Sequence, residues 1–189
     1  MARHGRVTET AILARFEALL PSDAEGNFLA FKPGATGAEE KSDVVHDFLA
    51  FLAEQMIELN KQKQTEMKRF LVWLVRQLRI AADSRGNEGL DALTGKTRLR
   101  NYLGDYQKSE EPLGFGDLVA ILQKTRSRIG AGLSDPAFAN RLRTEYESSL
   151  ARLLPIKDRL AKTDWLIDQV VYRLYGLTEE EIAVVEVAR

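Results

Sequence analysis

Between Ser42 and Ala82 the chain contains neither glycine nor proline, and its apolar residues recur every three to four positions. Val45, Phe48, Leu52, Met56 and Leu59 fall on one face, followed by Met67, Phe70, Leu74, Leu78 and Ala81. A spacing near 3.6 is the signature of an amphipathic helix. About 40 residues at 1.5 Å each make a rod of roughly 60 Å. A rod of that length cannot bury its apolar stripe by itself, so the rest of the chain must supply a partner.

The partner is legible further on. Phe138, Leu142, Tyr146, Leu150, Leu153, Leu160, Ile167, Val170, Val171 and Leu174 repeat the same spacing over residues 135–175. Pro136 stands in the first turn, where a missing N–H costs nothing. Pro155 lies inside the run and predicts a kink near residues 151–155, because proline removes one backbone bond and crowds the turn before it. Gly176 is placed to cap the C-terminus. Thr178 and Glu181 then read as a capping box opening a last helix over 178–187.

The expected fold is therefore all-α. Two long antiparallel, coiled-coil-like helices flank a smaller helical insertion over residues 90–130. Within the insertion, Leu90 to Leu93, Thr97 to Leu103 and Phe115 to Ile129 read as helical pieces, with glycines at 104, 114, 130 and 132 between them. Residues 1–38 form a separate N-terminal part. It has a helix from Thr8 to Leu20 ended by Pro21, then a loop in which Phe28, Leu29 and Phe31 could form a short strand. Residues 39–189 are the helical module. Asn60 to Glu66 are polar throughout, so there the first rod is expected to leave its partner, bend or cross solvent.

Composition narrows the function classes. There is no cysteine, which removes disulfides, thiolate metal sites and cysteine nucleophiles and suits a reducing cytoplasm. No apolar h-region follows the first residues, and Phe70 to Val75 is far too short a run to span a bilayer. A secretory signal and a membrane partner are not expected. The formal net charge of −1 hides a strong pattern. Residues 1–60 carry −5, residues 61–108 carry +6 and residues 109–189 carry −2.

Several motifs fail on context. Gly95-Lys96-Thr97 is similar to the end of a phosphate-binding loop, but the first glycine of that pattern would fall on Leu90, and no strand precedes it. Leu113-Gly114-Phe115-Gly116-Asp117 and Asp135-Pro136-Ala137-Phe138 echo methyltransferase motifs, yet each lies between helices, and Ala137 replaces a required proline. His4 and His46 have no second ligand three or four residues further on, so neither a metal nor a cofactor is expected. Asp164 and Asp168, one turn apart, read as a charged helix face. No catalytic residue can be nominated.

The basic block carries the remaining signal. Lys96, Arg98 and Arg100 crowd one short element together with Asn101 and Tyr102; Lys124, Arg126 and Arg128 crowd another, with Arg141 and Arg143 beyond. Lysine and arginine bind phosphates, while Asn101 and Tyr102 could add sugar or base contacts. The competing expectation is pairing within the chain to Glu110, Glu111, Glu145 and Glu147.

The run from Thr163 to Ile182, T-D-W-L-I-D-Q-V-V-Y-R-L-Y-G-L-T-E-E-E-I, resembles the ending of type IIG-like restriction-modification adenine DNA methyltransferases. Residues 51–61, 93–102 and 150–157 resemble other helical segments of those C-terminal regions. The likeness spans roughly residues 40–187. It lacks the family's cofactor glycines, its Asp/Asn-Pro-Pro-Tyr/Phe run and its nuclease core, so it implies no catalytic residue. It implies a non-catalytic helical module that supports target recognition. Double-stranded DNA and the methyltransferase body, or a second copy of the chain, would be its partners. Such a chain would be an excised domain, a truncated product or a separate subunit. The phosphate contacts would be Lys96, Arg98, Arg100, Lys124, Arg126 and Arg128. The alternative is a helical interaction or oligomerisation module that never touches DNA.

Overall fold

The computed structural model describes residues 11–15, 42–130 and 132–187. Residues 11–15 are helical; the other positions of the expected first helix, and Phe28, Leu29 and Phe31, lie outside the described residues. The main elements are α1 (Ser42–Leu78), α2 (Lys96–Arg100), α3 (Phe115–Lys124), α4 (Pro136–Leu174) and α5 (Glu179–Val187). Short 3₁₀ turns occupy Gly89–Ala92 and Arg126–Arg128. Among the described residues the only extended pairing is one antiparallel bridge, Ile80 to Ile129. The protein is all-α, and its two long helices pack on one another.

The chain divides into two compact units, Glu58–Ala161 and Met1–Ile57 with Lys162–Arg189. In the first, Phe70, Leu74 and Leu78 of α1 meet Leu142, Tyr146 and Leu153 of α4, with the insertion supplying Leu99, Tyr102, Leu103, Leu118 and Leu122. Each of these aliphatic side chains, fully withdrawn from water, stabilises the fold by roughly 1.5–3 kcal/mol. The Phe70 ring centroid lies 5.0 Å from that of Tyr102 and 5.6 Å from that of Tyr146, in tilted pairs. Tyr102 was a candidate for sugar or base contact; it is fully buried instead. Its apolar ring faces Phe70, and its hydroxyl sits 2.6 Å from the buried Ser149 Oγ. The Tyr146 hydroxyl donates to the Leu113 carbonyl. Burial pushes both phenols up to about 12, because an ionised phenolate would lose its hydration.

In the second unit, Val45 packs on Val170 beside Phe48 and Leu174. Leu52 packs on Leu166, and Ile12 and Leu13 from the helical residues 11–15 cover that pair. Within each unit the partner on α4 falls in number as that on α1 rises.

Three boundaries differ from the sequence reading. The first long helix ends at Leu78 rather than near Ala82, although Ile80, Ala81 and Ala82 are sound helix residues. Arg79 turns to φ +49, and the chain that follows pairs across to the 3₁₀ turn. Ala81 N–H donates to Arg128 O at 2.8 Å, and Gly130 N–H to Arg79 O at 3.3 Å. Second, the polar Asn60–Glu66 stretch stays helical; Lys61, Gln62, Gln64 and Thr65 are exposed, as a passage through solvent requires, but α4 is met again at its end, where the Arg152 guanidinium reaches Glu66 at 2.6 Å. Third, the piece expected over Phe115 to Ile129 stops at Lys124 and tightens into Arg126–Arg128.

Helix α4 runs unbroken through Pro155. Proline deprives the Ala151 carbonyl of its partner, and both Ala151 and Pro155 are exposed, so water is within reach of that carbonyl. At its end, Gly176 takes φ +62 while its N–H donates to Arg173 O and Leu177 N–H donates to Tyr172 O. That pair of bonds is the Schellman arrangement. The capping box forms as read, with Thr178 N–H donating to Glu181 Oε2 at 2.9 Å and Glu181 N–H to Thr178 Oγ1 at 3.3 Å.

Candidate nucleic-acid interface

Glu58–Ala161 holds 19 basic and 13 acidic residues, net +6, so the remainder of the chain carries −7. The fold therefore gathers nearly all the unbalanced positive charge into one compact unit.

The six nominated cations divide into two groups there. Lys96 and Arg100 lie one turn apart on α2, and both reach Asp91, at 3.2 and 2.7 Å. These two cations, Lys96 first, hold the Asp91 carboxyl below the usual carboxylate range. Arg98 points away from them and meets Asp117 of α3 at 3.6 Å. Arg128 donates to the Ala92 carbonyl at 2.8 Å and lies 3.9 Å from Asp83. Asp83 is held down to about 2, chiefly by the Asn87 side-chain amide, then by the N–H groups of Asn87 and Arg85, with Arg128 adding charge. Lys124 and Arg126 are exposed and have no carboxylate partner among the described residues.

Pairing within the chain thus occurs, but mostly through Asp83, Asp91 and Asp117 rather than the glutamates expected. Of those glutamates, Glu147 meets Arg143 at 3.6 Å. Arg143 also covers the Phe115 ring at 4.4 Å. Glu110 turns back to accept from the Asp105 N–H at 3.1 Å.

Other cations escaped the sequence reading. Lys68, Arg76 and Arg79 are exposed on or just beyond α1, with no carboxylate partner among the described residues. Their numbers fall on one helical face with Val72, a spacing that was visible but was absorbed into the block charge. Lys157 of α4 has a structural task. It donates to the Leu103 carbonyl at 3.0 Å and to that of Glu110, tying both ends of the loop between α2 and α3.

The motifs set aside on context have plain structural duties. Gly95 precedes α2 at φ +84, a left-handed position that suits glycine, and α2 has only five residues. Gly114 precedes α3 in extended geometry. His46 lies 3.5 Å from Asp47, with both side chains in solvent. Among the described residues no group of three metal-ligating side chains comes together, and no helix is long and apolar enough to cross a membrane.

A family model described as a domain of unknown function, DUF8810, matches residues 42–171. The chain belongs to that family. The match takes in α1, the insertion and α4 almost to its end, so the +6 unit lies wholly inside the DUF8810 domain. No curated protein and no solved structure matches the chain.

Proposed function

We propose that this DUF8810 protein is a non-catalytic helical module of a restriction-modification DNA methylase, which supports target recognition and contacts the DNA backbone. The carrying observation is the concentration of positive charge in Glu58–Ala161, with Lys124, Arg126, Lys68, Arg76 and Arg79 exposed and unmatched by carboxylates among the described residues. Charge of one sign on a compact surface attracts a polyanion and releases its counterions. The paired cations also fit this reading. Exposed ion pairs are worth only about 0–1 kcal/mol, so a DNA phosphate can displace Asp91 or Asp117. The α1–α4 pair, taken as coiled-coil-like, would act as the brace that presents this surface beside a methyltransferase body in the cytoplasm.

Fluorescence anisotropy of a labelled DNA duplex tests the reading. The full chain should bind at low salt. Asp91→Asn with Asp117→Asn should tighten binding by freeing Lys96, Arg98 and Arg100, and Lys124→Ala with Arg126→Ala should weaken it. A duplex that binds no better than a neutral polymer overturns the DNA role.

A further inference from the structure

Helix α5 is anomalous for a surface helix. None of its residues is buried, although Ile182, Val184, Val185 and Val187 are apolar. Val184 is 70 % exposed and Val187 88 %, and Tyr175 just before the helix is 70 % exposed. Capping explains Glu181, and the helix dipole favours the acidic first turn as a whole. Neither explains the valines. Val184 and Val187 share one face of the helix beside Glu180, and an exposed apolar pair next to charge suits an interaction surface.

A complementary surface lies in the basic unit. A groove of about 600 Å³ runs along α1, floored by Met67, Leu71, Val75 and Leu90. That volume is in the range of sites that bind discrete ligands. Its rim carries Lys68 and Arg76 on α1 and Arg100 on the facing side, and among the described residues no carboxylate lines it. Arg100 is already joined to Asp91; Lys68 and Arg76 have no carboxylate partner among the described residues.

We infer that the acidic, valine-bearing helix α5 of one copy docks in the cation-rimmed groove on α1 of a second copy. The charges match in sign, acidic on the helix and basic on the groove. On α5, Glu180, Val184 and Val187 recur at intervals of four and three residues, so one face carries a carboxylate beside two exposed valines. That face sets Glu180 against the rim cations and Val184 and Val187 on the apolar floor. Each copy carries both halves of the contact, so association either closes reciprocally as a dimer or continues head to tail. The contact is small and charge-steered, which makes it weak and salt-sensitive. This inference is independent of the DNA reading, although the two would compete for Lys68, Arg76 and Arg100.

The absence of cysteine allows a clean test, because Ala183→Cys introduces a single labelling site. A nitroxide-labelled Ala183→Cys chain is mixed with an isotope-enriched chain that carries no label. Amide signals between Lys68 and Arg76 of the enriched chain should weaken, and Val184→Asp with Val187→Asp in the labelled copy should restore them. Sedimentation of the full chain should show mass rising with concentration, and Lys68→Glu with Arg76→Glu should return it to monomer. Signal loss confined to chains that carry label and isotope together places the helix in its own groove and overturns the inference. So does a chain that stays monomeric at every concentration. Duplex binding by the Val184→Asp, Val187→Asp variant reads the DNA proposal separately, since that variant keeps every cation.

Discussion

The Arg152 guanidinium lies 2.6 Å from the Glu66 carboxylate, joining α4 to α1 at the end of the polar stretch of the first long helix. Both side chains are mostly withdrawn from solvent, and Arg152 also donates to Ser148 Oγ at 2.7 Å. Glu66 lies one helical turn before Phe70 and Arg152 six residues after Tyr146, so the pair adjoins the aromatic contact that also joins the two helices.

A double-mutant cycle on Glu66→Ala and Arg152→Ala should give a coupling of about 1 kcal/mol, the upper end for a partly exposed pair. Urea midpoints provide the measurement. A coupling near zero would mean the pair merely coexists.

The Tyr102–Ser149 bond should behave differently. Tyr102→Phe strands the Ser149 hydroxyl and should cost about 1–3 kcal/mol, while adding Ser149→Ala should recover much of that loss. The same burial sets an alkaline limit. Both phenols titrate near 10 when unfolded and about 12 when folded, so the unfolded chain loses those protons first. Stability should hold below pH 10 and fall between pH 10 and about 12. Phenolate absorbance and melting temperature, read together, check this, and Tyr146→Phe should shallow the decline.

Asp83 sets a limit at the acidic end. Its carboxyl is depressed to about 2, so its stabilisation is present above the unfolded value of 3.8 and lost as pH falls toward 2. Asn87→Ala removes the leading cause and should move the carboxyl midpoint upward, measured by NMR titration. An unmoved midpoint would leave the effect to the backbone N–H groups of Asn87 and Arg85 and to Arg128.

Two glycines with similar backbone angles should respond unequally to alanine. A Cβ at Gly104, φ +75, would lie 2.6 Å from the Glu110 carbonyl oxygen and 2.9 Å from that of Glu111. At Gly86, φ +79, nothing stands within 4 Å. Gly86→Ala should cost about 1–2 kcal/mol from the left-handed backbone alone. Gly104→Ala should cost clearly more, since backbone must move. Equal losses would contradict the closed loop that Lys157 ties.

The long helices, Pro136 at the start of α4, the Schellman end at Gly176 and the capping box were all legible because each is a local signal. The end of α1 was not. Ile80-Ala81-Ala82 favours helix, and the stop is imposed by pairing with Arg128 and Gly130 some 50 residues away. Tyr102 was misread for a similar reason. A tyrosine among lysines and arginines looks like a nucleic-acid contact, and only the tertiary fold brings it against Phe70 and Ser149. The ion pairs followed the same rule. Asp91 lies close to Lys96 and Arg100 in sequence, whereas Asp117 and Asp83 reach Arg98 and Arg128 only through folding.

The most direct test of the proposed DNA role is the salt dependence of duplex binding by the full chain and two double variants. Affinity should fall linearly on logarithmic axes, with each phosphate contact contributing about 0.9 to the slope. Lys124→Ala with Arg126→Ala, which removes charge that no carboxylate among the described residues meets, should lower the slope by nearly two such contacts. Lys96→Ala with Arg98→Ala should lower it less, because Asp91 and Asp117 already hold those cations. Slopes that are flat for the unmodified chain, or unchanged by either pair of substitutions, would contradict a phosphate-binding surface on this unit.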